Sequence, residues 1–293
     1  MIDFTHLHLH TQYSILDGAT KISSLFERAK EFNMKAVAIT DHGNMFGVMD
    51  FIIEAKKYDI KPIIGCEVYV AANGRFSRSL KDDRSGYHLI LLAKNKEGYH
   101  NLSKIVSLAY IEGYYYTPRV DKELLMTYRE GIIALSACLG GEIPSAILGR
   151  GEEYAKQVIK EYKDIFGDDF YLEVMRHGLH EQDSVNEVIV RLSKELNIPI
   201  VATNDVHFVM DEDFEAHKIL ICLNTKRELN EDTNLYYTGN EYFKSPEEMA
   251  ELFSDIPEAI SNTMAIADKI ESFDLQHKII LPVFPLPEPF TDE

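Results

Sequence analysis

The sequence predicts an α/β protein in which seven strands alternate with helices and close into a barrel. Two observations predict it. Short apolar runs alternate with amphipathic segments from Phe4 to Phe208, an order that argues for a parallel sheet with helices outside. Seven such runs crowded into that length argue for closure rather than an open sheet.

The first run, "FTHLHLH", is read as a strand. It is followed by "ISSLFERAKEF", where Ile22, Leu25, Phe26, Ala29 and Phe32 fall on one helical stripe. "KAVAITDH" is the next strand and "MFGVMDFIIEAKKY" its helix. "KPIIGCEVYVA" and "YHLILLA" follow as strands, the latter leading into the helix "GYHNLSKIVSLAY". "GIIALSACL", "FYLEVM" and "IPIVATNDVHF" complete the strands, separated by "YAKQVIKEYKDIF" and "VNEVIVRLSKEL" with i, i+3, i+4 spacing. After Phe208 the pattern changes. "SPEEMAELF" reads as a helix with Ser245 as N-cap, Pro246 at its first position and Glu248 completing a capping box. "DIPEAISNTMAIADKI" reads as another, capped by Asp255, and "TKRELNEDTNLYYTGNEYF" as a long loop. His100 and His277 are placed on helices with no role. The expected organisation is one domain over residues 1–275 and a proline-rich tail, 276–293, acting as a linker toward a further region.

With 293 residues and 45% hydrophobic content the chain has enough material for a full core. No apolar run approaches the roughly 20 residues of a membrane span, and no secretory signal is read, so no membrane partner is expected. Three scattered cysteines, Cys66, Cys138 and Cys222, fit a reducing compartment, and the cytoplasm is expected. A net charge of −18 weighs against tight, sequence-independent nucleic-acid binding. It leaves room for an enzyme that meets phosphates at bound cations.

"HLHLHTQYS" places His6, His8 and His10 at alternate positions, which a strand would bring to one face. One buried histidine is ordinarily a hydrogen-bonded core residue; three in register point to a metal. Other strands run into Asp41-His42, Cys66-Glu67, Cys138, and Asp205 with His207. In parallel barrels those strand ends share one mouth, so a multinuclear metal site is expected there. Several residues fit two readings. Cys138 suits a ligand or a small core residue, and Asp17 a ligand or a helix cap. Arg176 and His177, in "EVMRHG", suit a substrate phosphate or a loop salt bridge. Tyr114 to Tyr116 suit base stacking or a packed loop. "LGRGEE" lacks the Lys-Ser/Thr of a phosphate loop, so no second chemistry competes.

"HLHLHTQYS", "AITDHGNMFG", "PIIGCEVYV", "HLILLAKN", "LSACLGGEI" and "ATNDVHF" resemble, in order, the motifs of the PHP (polymerase and histidinol phosphatase) family. The wording is most similar to the PHP domains at the N terminus of bacterial DNA polymerase III alpha subunits, and the resemblance runs from about Phe4 to the C-terminal prolines. It implies a distorted seven-stranded (β/α) barrel with three divalent ions at its mouth. The implied ligands are His8, His10, Asp17, His42, Glu67, His88, Cys138, Asp205 and His207. One ion would take His8, His10, Glu67 and Asp205, the four expected to carry catalysis. Glu67 would bridge to a second ion on His88 and Cys138, and Asp17, His42 and His207 would hold the third. His88 stands at the start of its strand, so only the resemblance supports it. His6 replaces the aspartate common in stand-alone phosphatases and is assigned to orienting a ligand. Mixed His/Asp/Glu/Cys ligation suits zinc, manganese or iron better than magnesium or calcium. The implied reaction is metal-dependent phosphoester hydrolysis, as a 3′–5′ proofreading exonuclease on a DNA 3′ end. The partners would be the remainder of the polymerase alpha subunit and other replisome subunits. Two other readings stand beside it: a small-molecule phosphatase of the histidinol-phosphate type, and a structural or docking module.

Overall fold

The computed structural model describes residues 2–79, 84–229, 231, 237–275 and 281. Its strands are β1 (Ala36–Ile39), β2 (Lys61–Val70), β3 (Tyr87–Ala93), β4 (Arg119–Val120), β5 (Ile132–Leu135), β6 (Phe170–Val174) and β7 (Ile200–Ala202). They form one seven-stranded sheet in the order β1-β2-β3-β5-β6-β7, with β4 beside β2. The helices are α1 (Ile22–Glu31), α2 (Val48–Tyr58), α3 (Lys96–Ile111), α4 (Lys122–Thr127), α5 (Glu142–Arg150), α6 (Glu152–Phe166), α7 (His180–Leu196), α8 (Phe214–Thr225), α9 (Pro246–Leu252) and α10 (Pro257–Lys269).

The α/β architecture is as the alternation predicts, and strand residues divide between two apolar layers. Ala36, Ala38, Ile63, Ile90, Leu92, Ile133 and Leu135 point into the curl of the sheet. Their alternates, such as Val37, Ile64, Leu91 and Ala134, meet the helices. The apolar stripe of α1 (Ile22, Leu25, Phe26, Ala29) is buried, as are Val158, Ile159 and Tyr162 of α6. α10 packs under the start of the strands. Lys61, at the foot of β2, donates to Ala267 O, and Asn262 donates to Ile200 O at the foot of β7. The opposite end is the mouth.

Three features depart from the expectation. The stretch 4–10 is not a regular strand. It is an extended segment bonded to both ends of the sheet. Ala38 N–H donates to His6 O at 3.0 Å and Thr40 N–H to Leu9 O at 2.9 Å, on the β1 side. Val206 N–H donates to His8 O at 3.2 Å and His10 N–H to Val206 O at 2.8 Å, beyond β7. Leu9 N–H is taken by the Thr40 hydroxyl at 2.8 Å, so a side chain stands in for one ladder partner. The seventh strand is instead the two-residue β4, too short to show a period.

Second, the sheet is not wholly parallel. β3 runs against both β2 and β5, and the other pairs are parallel. Parallel neighbours need a crossover, usually a helix, and among the described residues no helix lies between β2 and β3. Third, α4, α5 and α8 were not expected, and α10 begins without Asp255. Its N-cap is Ile256 with Pro257 at the first position. The capping box of α9 on Ser245 and Glu248 is present. The expected tail 276–293 lies outside the described residues except for Leu281, as does His277, and the expected long loop is described only in part. Among the described residues no helix is long and apolar enough to cross a membrane.

Candidate metal centre

The mouth is built from chain turns that leave the sheet. Residues 8 and 10 come from the bridging segment, Asp17 from the turn after it, His42 from just past β1 and Glu67 from within β2. Cys138 follows β5, and Asp205 and His207 follow β7. His88 joins them because β3 is reversed. Register pairs His88 with Tyr69, so the start of β3 lies beside the end of β2. Two residues here adopt left-handed backbone, Ala137 (φ 64°) and Asp205 (φ 44°). Neither is a glycine, and such conformations, costly for them, are characteristic of positions where a side chain or amide must be aimed.

The donors converge in three overlapping groups: His8, His10, Glu67 and Asp205; Glu67, His88 and Cys138; and His10, His42 and His207, each with ligand atoms within 4.8 Å of one another. His8 Nε2 lies 3.0 Å from Glu67 Oε2 and 3.1 Å from both Asp205 Oδ1 and His10 Nε2. His10 Nε2 is also 3.1 Å from Asp205 Oδ1. The other Glu67 oxygen is 2.7 Å from His42 Nδ1 and 2.9 Å from His88 Nδ1, and Cys138 Sγ is 3.6 Å from that nitrogen. Asp17 is not within the third group of donors. Its Oδ1 sits 3.3 Å from His42 Nε2, and its Oδ2 accepts from Tyr237 OH at 3.0 Å.

Burial and charge oppose each other throughout the mouth. Burial raises Glu67, but His88 and His42 hold it well below the carboxylate range. Burial raises Asp205 too, and His8 and His207 bring it well down. Burial lowers His8 and His42, yet Asp205 and Glu173 lift the first, and Glu67 and Asp17 the second, well above the usual imidazole value. His10 is pushed down to about 3 by burial and by the neighbouring His42 and His207. The Cys138 thiol is driven well up by burial and the carboxylates of Asp205 and Glu67.

The arrangement fits bound cations. Asp17 Oδ1, Asp205 Oδ1 and His207 Nε2 are buried without a hydrogen-bond partner among the described residues. Such atoms are costly unless something satisfies them. His8 and His10 turn their Nε2 atoms toward each other and toward one carboxylate oxygen. No lysine or arginine pairs with Asp17, Glu67 or Asp205 among the described residues. The set is nitrogen, oxygen and sulfur, the mixture of transition-metal sites.

Residues 6–177 match the family model described as PHP domain. The chain belongs to the PHP domain family. Over 290 residues it is 49% identical to a DNA polymerase III subunit alpha of Borreliella burgdorferi, covering 98% of this chain and 25% of that one. It is 48% identical over 277 residues to one from Helicobacter pylori strain 26695, covering 91% and 23%. To one from Thermus aquaticus it is 41% identical over 302 residues, covering 99% and 25%. The chain thus spans about a quarter of the length of the curated relatives it matches. A solved two-domain protein of Bacteroides vulgatus, described as containing a predicted PHP-like metal-dependent phosphoesterase, is 12% identical, with a TM-score of 0.44 over 71% of this chain and 53% of that one.

In this PHP domain three of the assigned residues lie apart from the converging donors, and Arg176 takes the salt-bridge alternative. Arg176 does not face the mouth. It makes two bonds to Asp255, at 2.6 and 2.8 Å, and one to Leu252 O. His177 is buried with both ring nitrogens engaged, by Asn204 O and the Gln182 amide, so neither residue is placed to hold a phosphate. His6 orients no candidate ligand. Its Nε2 bonds Lys244 O at 2.8 Å and its ring packs on Phe4 and Phe243. Two residues along an extended chain is roughly 7 Å, which puts His6 one layer below His8.

The residue most clearly missed is Glu173. Its carboxylate meets His8 Nδ1 at 2.7 Å and accepts from Ala137 N–H at 2.8 Å and Thr203 OH at 2.5 Å. The signal was present: a lone charge inside the apolar strand "FYLEVM" must be paired if buried. Ser14 plays the same part for His10. It meets His10 Nδ1 at 3.1 Å while donating to Asp41 at 2.9 Å. Both contacts fix a ring by its inner nitrogen and leave Nε2 toward the mouth.

Proposed function

We propose that this PHP domain, residues 1–275, hydrolyses phosphoesters with divalent metal ions, and that its substrate is the 3′ end of a DNA strand, removed nucleotide by nucleotide. The supporting observation is the fusion of three donor groups through shared side chains, His10 and Glu67. His8, His10, Glu67 and Asp205 would hold one ion, and Glu67, His88 and Cys138 a second. His42 and His207 would hold a third, with His10 beside them and Asp17 against His42. Zinc, manganese or iron suits these donors. Bound there, such ions lower the pKa of a water molecule and clamp the oxygens of a displacement at phosphorus. The chain's own contribution is orientation. Glu173 and Ser14 fix the two histidine rings, and the left-handed turn at Asp205 aims its carboxylate between them. The polymerase relatives supply the reason to choose a DNA end, and they make the rest of an alpha subunit and its replisome the expected partners, in the cytoplasm.

The test is a 5′-labelled primer with a mismatched 3′ end on a template, incubated with the manganese- or zinc-loaded protein and with its Asp205→Asn variant. Stepwise shortening that the variant loses is expected. Metal retention without shortening would overturn the exonuclease reading. Turnover of a phosphomonoester instead would make it a small-molecule phosphatase, and a stable partner complex with no hydrolysis would make it a docking module.

A further inference from the structure

One lip of the mouth carries chemistry that the metal centre does not use. Residues 72–79 and 113–118 lie side by side there. β4 pairs with β2 at Tyr69 and Val70, just past Glu67. A Cβ on Gly43, next to His42, would come within 2.9 Å of Pro118 Cγ. The Thr117 hydroxyl donates to Ser85 O at 3.1 Å, shortly before His88. The lip therefore borders the Glu67, His42 and His88 side of the centre.

It is a built surface. Arg119 is fully buried and donates to Gly113 O, Arg75 O and Ser77 O, tying the two segments together. On this base Tyr114 and Tyr116 stand 54% and 59% exposed. Tyr116 is held at φ 65°, a left-handed conformation uncommon for a bulky residue, so the backbone accepts strain where this ring is presented. Charge is distributed unevenly. The carboxylates of Glu112 and Asp121 are taken by Arg75, each at 2.8 Å. Among the described residues Arg78 bonds the carbonyls of Arg75, Ser77 and Glu112 and lies 5.8 Å from the Tyr115 ring centre, and the Arg84 guanidinium lies 4.8 Å over the Tyr116 ring. Among the described residues neither meets a carboxylate.

Exposed aromatic faces interleaved with unmatched guanidiniums are the means by which proteins hold unpaired nucleotides, with bases on rings and phosphates on arginines. We infer that this lip binds a single strand of DNA leading to the mouth, Tyr114 and Tyr116 stacking its bases and Arg78 and Arg84 meeting its phosphates. The inference rests on the DNA-end reading above and supplies the strand's path.

The experiment is fluorescence anisotropy of a short 5′-labelled oligothymidylate with the protein in chelator, where nothing can be cut. Tyr114→Ala and Tyr116→Ala should each weaken binding by roughly 5- to 100-fold, and Tyr116→Phe should retain it. Arg84→Ala should flatten the dependence of log affinity on log salt by about 0.7. Each variant should still take up the parent's complement of manganese, which separates a lost contact from a lost fold. Unchanged affinity in Tyr114→Ala/Tyr116→Ala, or no binding by the parent, overturns the inference. The two readings fail separately. Lip-dependent binding with no nuclease activity keeps the strand path and removes the exonuclease. Nuclease activity indifferent to the lip variants does the reverse.

Discussion

Two charged concavities of this molecule, a surface cleft and the mouth, differ in how their charges are met. Between α7 and α10 lies a cleft of about 720 Å³ lined by Arg176, Asp183, Arg191, Lys194, Asp255 and Glu258. Its two arginines are matched to carboxylates: Arg176 grips Asp255, and Arg191 pairs with Glu152. In the mouth no lysine or arginine meets the carboxylates of Asp17, Glu67 and Asp205 among the described residues, three buried atoms make no hydrogen bond, and the histidines are pulled in opposite directions by burial and by their neighbours. Size and charge do not distinguish a candidate site from a salt-bridged groove. Unmet demand for a cation does.

The largest effect that would sharpen this contrast is expected from Glu67→Gln. Glu67 touches His8, His42 and His88, and its replacement should weaken metal binding more than about 100-fold, read as metal content after dialysis. A full metal content in the variant would break the contrast outright. Next comes Glu173→Gln, which leaves the mouth's own donors in place but loosens His8. A roughly 10- to 100-fold loss of affinity is expected by calorimetry. An unchanged affinity would reduce Glu173 to a packing role.

A third effect belongs to the metal-free protein. Burial, above all, lowers both His6 and His217 from 6.5 to about 4. Between those values the unfolded chain binds more protons than the native one, so stability falls as pH drops from about 6.5 to 4. For His6, which is fully out of water, the loss is on the order of 3 kcal/mol. Urea melts across that window check it; a flat profile would show that the ring charges in place without cost. The smallest effect is expected in the cleft. Arg176→Ala should cost about 1 kcal/mol of stability, as a partly exposed pair does, and leave metal affinity untouched. Impaired metal binding there would erase the distinction between the two concavities.

The same contrast marks where sequence reading works. Strand ends gave His42, Glu67, Cys138, Asp205 and His207 because the termini of parallel strands share a mouth whatever the details of the sheet. The rule failed at β6, where alternation sends Glu173 inward and leaves Arg176 on the opposite face. It was silent on His88, since strand direction is set by how the chain crosses between β2 and β3. α8 went unread because its apolar residues do not share a side: Ile221 is buried while Ile219 and Leu223 are exposed, so no stripe forms. Asp255 was read as a cap from its neighbours in sequence, but a partner 79 residues away takes its carboxylate. Local pattern reaches as far as local contacts do, and these outcomes were decided by distant ones.

The segment that joins the two ends of the sheet has a consequence for synthesis. His8 and His10 leave the ribosome among the first residues of this stretch, yet the backbone partner that brackets them is Val206. At about 5–20 residues per second, the wait between them is roughly 10 to 40 s. Through that interval the nascent sheet has a seam that no local contact can seal, next to a pair of imidazole rings that the finished fold buries. A chain interrupted before Asp205 would keep its seven strands and lack Asp205 and His207, so the mouth cannot be completed until synthesis has passed them.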